Sequence, residues 1–210
     1  MDENSPSRQQ VVLVRHGETE WALQGRHTGR TDVRLTERGR QQAVSLGRFL
    51  RRRQFANVLV SPLQRALETC RLAGLGDVAD IRDDLAEWDY GEYEGRRTED
   101  ILAERPGWTL WDDGVPGGEA VEGVGRRADR VIAEIRSTPG DVAVFAHGHI
   151  LRILAARWVY LVPKDGRRFA LDPAGVSVLG YEHTWPVLAH WNETLINADE
   201  EDHHDIAAAF

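Results

Sequence analysis

At 210 residues the chain is long enough for one domain with a sizeable core, and its 41% hydrophobic and 29% charged residues are those of an ordinary globular protein. A formal net charge of −8 lacks the basic footprint that nucleic acid demands, and no run approaches the ~20 apolar residues that span a bilayer. The single cysteine, Cys70, excludes an internal disulfide and a cysteine-built metal site.

The N-terminal stretch MDENSPSRQQ is polar and opens with acids, unlike a secretory signal, so cytoplasmic residence is expected. Residues 1–8 are expected to be loose, and 9–197 to form a single domain. Val11-Val-Leu-Val14 is a short, β-branched apolar run that reads as a buried strand and stops abruptly at Arg15-His16-Gly17. Residues 36–53 read as a helix, with Thr36-Glu37 as a Thr-x-x-Glu-like cap and Ala43, Leu46 and Leu50 at helical spacing. The arginines at its end, Arg51-Arg-Arg53, read as a solvated terminus.

Asn57-Val-Leu-Val60 is a second strand, ending at Ser61-Pro62, and Pro62 is placed to open an amphipathic helix over 63–72. Cys70 falls in that helix and reads as a part-buried thiol. The stretch 83–118, rich in Trp and Gly, reads as long functional loops around a short helix. Helical spacing returns over 119–136. A third strand runs over 141–146 into His147-Gly148-His149, and 150–161 reads as a buried helix. The runs 176–181 and 186–191 look like an antiparallel edge hairpin, which could support a homodimer. Residues 198–210 form an acidic, disordered-looking tail whose His203-His204 pair lacks a rigid scaffold for a metal. Strand–helix alternation predicts a single α/β domain.

In open α/β sheets ligands gather beyond the carboxyl ends of the strands. Three strands here end in Arg15-His16, in Ser61 with Arg65 one turn on, and in His147-Gly148-His149, so two histidines and two arginines can share a pocket. Guanidinium forks match phosphate oxygens. A neutral imidazole between them can attack phosphorus and split one hard displacement into two easier ones. Arginines can supply the charge stabilisation that a metal gives elsewhere. The ring nitrogen that does not attack should donate to an acceptor such as a backbone carbonyl, and a leaving alkoxide needs a nearby carboxylic acid.

Leu13-Val-Arg-His-Gly-Glu-Thr-Glu-Trp21 resembles the signature of the histidine phosphatase superfamily, the phosphoglycerate-mutase-like fold. Gly25-Arg-His-Thr-Gly-Arg-Thr-Asp32 with Leu35-Thr-Glu-Arg-Gly39 resembles that family's substrate loop and first long helix. Ser61-Pro-Leu-Gln-Arg-Ala-Leu-Glu-Thr69, Ala86-Glu-Trp-Asp-Tyr-Gly-Glu-Tyr-Glu-Gly95 and Ala146-His-Gly-His149 resemble its second-arginine, proton-donor and second-histidine segments, in the family's order. The resemblance implies a three-layer α/β/α sandwich with a mainly parallel central sheet. It implies His16 as nucleophile; Arg15, Arg65 and His147 as phosphoryl ligands; and Glu87 as proton donor, then activator of water. Gly17 would orient the His16 ring, with Thr28, Gly29 and Gly148 at the substrate.

The implied activity is hydrolysis of small phosphorylated metabolites, sugar phosphates among them, with no cofactor and no metal. A cofactor-dependent phosphoglycerate mutase is the alternative, disfavoured because the region 95–119 is shorter than the insertion such mutases carry. A catalytically weak phosphate-binding module is a second alternative. One position departs from the family's pattern: Ala22 stands where Asn usually follows the Trp, and Arg26, His27 and Thr28 are candidates to cover the lost contact. Outside the resemblance, His149 reads as a helix-opening residue, with support of a neighbouring site group as the alternative, His27 equally as substrate contact or surface histidine, and Trp88, Trp108 and Trp111 equally as pocket wall or core.

Overall fold

A computed structural model of the chain describes residues 9–194; the expectations for residues 1–8 and for the tail lie outside them. In chain order the elements are β1 (Val11–Arg15), α1 (Glu20–Leu23), α2 (Glu37–Leu50), β2 (Asn57–Val60), α3 (Gln64–Leu72), β3 (Ala79–Ile81), α4 (Thr98–Glu104), α5 (Leu110–Asp113), α6 (Val121–Ser137), β4 (Val142–Ala146), α7 (Gly148–Trp158), β5 (Val176–Glu182) and β6 (Trp185–Glu193). Six strands form one sheet in the order β3-β2-β4-β1-β5-β6. The first four in that order are parallel, and β5 and β6 are antiparallel.

The central strands are continuous apolar runs because both faces are covered. Val11 and Leu13 pack with Val131, Ile132 and Ile135 of α6 and with Ile150 and Leu154 of α7. Their alternates, Val12 and Val14, pack on the other face with Leu46 and Leu50 of α2 and Ala66 and Cys70 of α3. This alternation makes the three-layer α/β/α sandwich the sequence predicted. Cys70 is fully buried, and burial pushes its thiol up to about 12.

Several details differ from the sequence reading. Residue three after Thr36 is Gly39, not an acid; Thr36 Oγ1 accepts from Gly39 N at 3.0 Å and donates to Glu18 Oε1 at 2.8 Å. Leu63, not Pro62, is the N-cap of α3, and α7 begins two residues early, at Gly148. Arg53 folds inward onto Asp141 at 3.1 Å, whereas Arg51 and Arg52 are exposed. The C-terminal hairpin lies beside β1, so of its two strands only β6 is an edge, the other edge of the sheet being β3. The short strand β3 had no sequence signal: of its three residues, Asp80 and Ile81 are exposed.

Candidate active site

Strand register places the site. Arg15 of β1 lies opposite Ala146 of β4, and Val60 of β2 opposite Phe145. The next residues, His16, His147 and Ser61, therefore emerge side by side at the carboxyl edge of the sheet. The two imidazole centroids are 5.1 Å apart.

His16 is buried, and its Nδ1 lies 2.7 Å from the carbonyl oxygen of Gly17. A carbonyl only accepts, so Nδ1 carries the proton and Nε2 keeps its lone pair. Burial, then the positive charges of Arg65 and Arg15, hold the His16 pKa well below the ordinary histidine value, so the ring is neutral near pH 7. Gly17 is itself fixed, its N–H donating to Thr69 Oγ1 at 3.1 Å. A Cβ on Gly17 would fall 2.4 Å from the carbonyl oxygen of Gly39, so the loop can lie against α2 only as glycine.

His147 is fully buried and held at both nitrogens. Arg65 Nε donates to its Nδ1 at 3.1 Å, and Ser61 Oγ lies 2.7 Å from its Nε2. Arginine can only donate, so the neutral ring carries its proton on Nε2 and gives it to Ser61. Burial, then Arg65 and His16, lower the His147 pKa well below the usual value. The remaining arms of Arg65 donate to Thr28 O at 3.0 Å, Gly29 O at 2.9 Å and Thr31 O at 2.9 Å. Glu94 grips the same loop from the other side, accepting from Gly29 N at 2.9 Å and Thr31 N at 3.1 Å.

Arg15 is half-buried. Its Nη1 donates to Leu171 O, while its buried Nε has no partner among the described residues, an orphaned donor of the kind an anion satisfies. Glu87 accepts three backbone N–H groups: Trp88 at 2.9 Å, Ile150 at 3.0 Å and His149 at 3.0 Å. The last two belong to the first turn of α7. Arg127 sets the preceding segment, donating to Asp84 O and Ala86 O at 2.7 Å each while paired with Glu119. Arg15 and Glu87 meet beside Gly148, where a Cβ would lie 3.5 Å from the Arg15 guanidinium carbon and 3.7 Å from Glu87 Oε2.

A cleft opens here, walled among others by Arg15, His16, Thr28, Glu87 and Gly148. Gly17 and Gly29 are not on its wall; they act through their backbones, Gly17 on the His16 ring and Gly29 on Arg65 and Glu94. Arg65 and His147 stand behind His16. The wall also holds Ala22 with Arg26, His27 and Thr28 beside it, the residues expected to cover the missing Asn.

The wall also holds His149, which the sequence singled out at the end of β4, and Thr19, Tyr90, Arg152 and Leu171, to which the sequence reading gave no role. His149 lies in the first turn of α7, one residue after its start at Gly148, and its Nδ1 is hydrogen-bonded to Tyr90 Oη at 2.7 Å. The signal was available in the spacing, because residues 149 and 152 lie on one face of a helix that begins at the sheet's carboxyl edge. Burial holds His149 well below the usual histidine value and Tyr90 well above the usual phenol value. Trp88 and Trp108 are core residues, whereas Trp111 backs the site, its ring 5.3 Å from that of His149 and 4.8 Å from the Arg152 guanidinium. Among the described residues no group of three His, Cys, Asp or Glu side chains gathers in a metal-holding arrangement. Nor is any helix among them long and apolar enough to cross a membrane.

A parallel-sheet sandwich with a neutral, singly tethered imidazole in a guanidinium-rich cleft defines a phosphoester hydrolase of the histidine type. Comparison with known proteins agrees. Residues 11–194 match the model of the histidine phosphatase superfamily (branch 1), and the chain belongs to that family. An acid phosphatase of Mycobacterium tuberculosis is 43% identical, the match covering 82% of this chain and 87% of the relative. A sedoheptulose 1,7-bisphosphatase of Saccharomyces cerevisiae is 34% identical at the same coverage of each chain. The solved structure of a Mycobacterium tuberculosis open reading frame superposes with a TM-score of 0.85 at 41% identity, covering 89% of this chain and 98% of the other.

Proposed function

We propose that the protein hydrolyses small phosphate monoesters, sugar phosphates among them, through a phosphohistidine on His16. In the first step Nε2 of His16 attacks phosphorus and the P–O bond to the alcohol breaks. Glu87, which enters the cycle protonated and regains that proton in the second step, gives it to the departing alkoxide. In the second step water attacks the phosphohistidine, Glu87 takes the proton from it, and inorganic phosphate leaves with the imidazole restored. Arg15, with its unpartnered Nε, and the Arg65 charge behind His16 stabilise the phosphoryl oxygens, while the neutral His147 ring accepts from Arg65 Nε and holds that guanidinium in place. Thr28 and Gly148 stand at the substrate from the loop and from the start of α7.

The observation that carries the reading is the His16 ring, with Nδ1–H tied to the Gly17 carbonyl and Nε2 left for chemistry. The names of the two relatives, an acid phosphatase and a sugar bisphosphatase, support the substrate class. The reading places the enzyme in the cytoplasm and gives the free edge of β6 to a second copy. Phosphate release from a panel of sugar phosphates is the test, run beside isomerisation of 3-phosphoglycerate primed with 2,3-bisphosphoglycerate. Release faster than isomerisation is expected; the reverse would make the protein a mutase.

A further inference from the structure

The core face of α2 carries Gly39, Gln42, Ala43, Leu46 and Leu50 at helical spacing, and Gln42 is the one polar side chain among the buried residues of that helix. At 7% exposure an amide costs desolvation unless it is hydrogen-bonded, so its partner is informative. Its Oε1 accepts from the backbone N–H of Glu18 at 2.8 Å. That N–H belongs to the same peptide unit as the Gly17 carbonyl, which accepts from Nδ1 of His16 at 2.7 Å. The helix comes this close because its first turn is bare at Gly39, where a Cβ would lie 2.2 Å from Glu18 O and 2.8 Å from Glu18 N. The flanking peptide units are held too. Gly17 N donates to Thr69 Oγ1 at 3.1 Å, Ala174 N to His16 O at 3.0 Å and Thr36 N to Glu18 O at 2.9 Å. Of these partners, Gln42 alone bonds the unit that carries the Nδ1 acceptor.

The chemistry asks more of that acceptor than the resting ring does. As Nε2 attacks, the N–P bond forms and the P–O bond breaks while Nδ1 keeps its proton, so the ring passes from neutral to cationic. Burial, then Arg65 and Arg15, oppose positive charge on His16, and the Gly17 carbonyl favours it. A peptide unit whose N–H is donated is polarised, and its carbonyl becomes the stronger acceptor. We propose that Gln42 is a positioning residue for the nucleophile, holding and polarising the Gly17–Glu18 peptide so that it stabilises the cationic phosphohistidine more than the free imidazole. The role rests on the phosphatase reading of His16 and extends it to a side chain that is not on the cleft wall. Gln42 thereby speeds formation of the intermediate and not its hydrolysis.

Single-turnover rapid quenching with p-nitrophenyl phosphate separates the two steps, nitrophenol release reporting formation of the phosphohistidine and loss of protein-bound phosphate its decay. Gln42→Met removes the acceptor at similar volume. Formation should slow by about 3- to 10-fold, the loss for one hydrogen bond, and decay should not slow. The inhibition constant of inorganic phosphate, which meets a neutral ring, should be unchanged. Gln42→Glu returns an oxygen acceptor and should restore formation. Equal slowing of both steps, or a matching rise in the phosphate inhibition constant, is what a merely loosened loop gives and would overturn the proposal. So would wild-type formation in Gln42→Met, or a Gln42→Glu as slow as Gln42→Met. Should Gln42→Met fail to fold, Gln42→Asn decides, because it keeps the amide but falls one methylene short of Glu18 N. It must show the same slowing, and formation at the wild-type rate overturns the role. If wild type releases no phosphate from p-nitrophenyl phosphate, the phosphatase reading falls instead. Nitrogen-15 spectra of labelled histidine then judge Gln42 by itself. The His16 Nδ1–H signal must shift or broaden in whichever of Gln42→Met and Gln42→Asn folds and return in Gln42→Glu, and an unmoved signal overturns the proposal.

Discussion

Acidification should destabilise this protein well before its carboxylates titrate. His16, His147 and His149 are all held well below the ordinary histidine value, in each case chiefly by burial. An unfolded histidine titrates near ~6.5, so below that pH the unfolded chain takes up protons that the native state refuses. Stability therefore rises with pH and is lost as pH falls from about 6.5 toward the folded-state values. For one ring still neutral at pH 5.5, the difference between pH 7.5 and pH 5.5 is about 1.4 kcal/mol, and three independent rings give about 4 kcal/mol. Asp84, held down by its hydrogen bond to Arg130, loses its contribution only below its ordinary range, outside this window. Urea melts followed by tryptophan fluorescence at the two pH values read the difference directly. His149→Asn should remove about a third of it. A midpoint and slope that do not change between pH 7.5 and 5.5 would refute the assignment of three buried neutral imidazoles.

Ser61→Ala leaves the buried Nε2–H of His147 without an acceptor, which should cost about 1–3 kcal/mol and lower the melting midpoint by about 2–4 °C per kcal/mol. A melting curve matching wild type would remove Ser61 from the site. Glu94→Ala frees the loop at Gly29 and Thr31 from one of its two clamps, and steady-state kinetics should show KM rising several-fold with a smaller change in kcat. Cys70, with its thiol pushed up to about 12 inside the α3 layer, should resist iodoacetamide in the native protein and react on unfolding. Modification at equal rates in both states would show that this layer is open.

Those predictions use residues of two kinds, and the sequence displays only one of them. The strand ends were legible because β1, β2 and β4 are buried on both faces, and their apolar runs stop where chemistry begins, at Arg15, Ser61 and His147. Once the strands are parallel neighbours in register, the convergence of His16 and His147 follows from counting. Contacts between side chains and loop backbone were not legible. Nothing in local spacing shows that Arg65 spends its forks on the carbonyls of Thr28, Gly29 and Thr31, because those carbonyls converge only after the loop has folded over α3. The partner of the Thr36 cap was likewise hidden: a reciprocal acid is sought three residues later, and here Glu18 arrives from the loop after β1. Arg53 looked like a solvated helix end until Asp141, distant in sequence, gave it an inward partner. Arg152 sits on a helix face that reads as core by periodicity, and only the position of α7 at the carboxyl edge of the sheet turns that face toward the cleft.

The most direct measurement is acid-free rapid quenching of the enzyme with a ³²P-labelled sugar phosphate, followed by peptide mapping of the protein-bound label. The account predicts one acid-labile, base-stable phosphoramidate on the peptide containing His16, formed at a rate no slower than turnover and absent in His16→Ala. Label on any other residue, or wild-type turnover retained by His16→Ala, would contradict it.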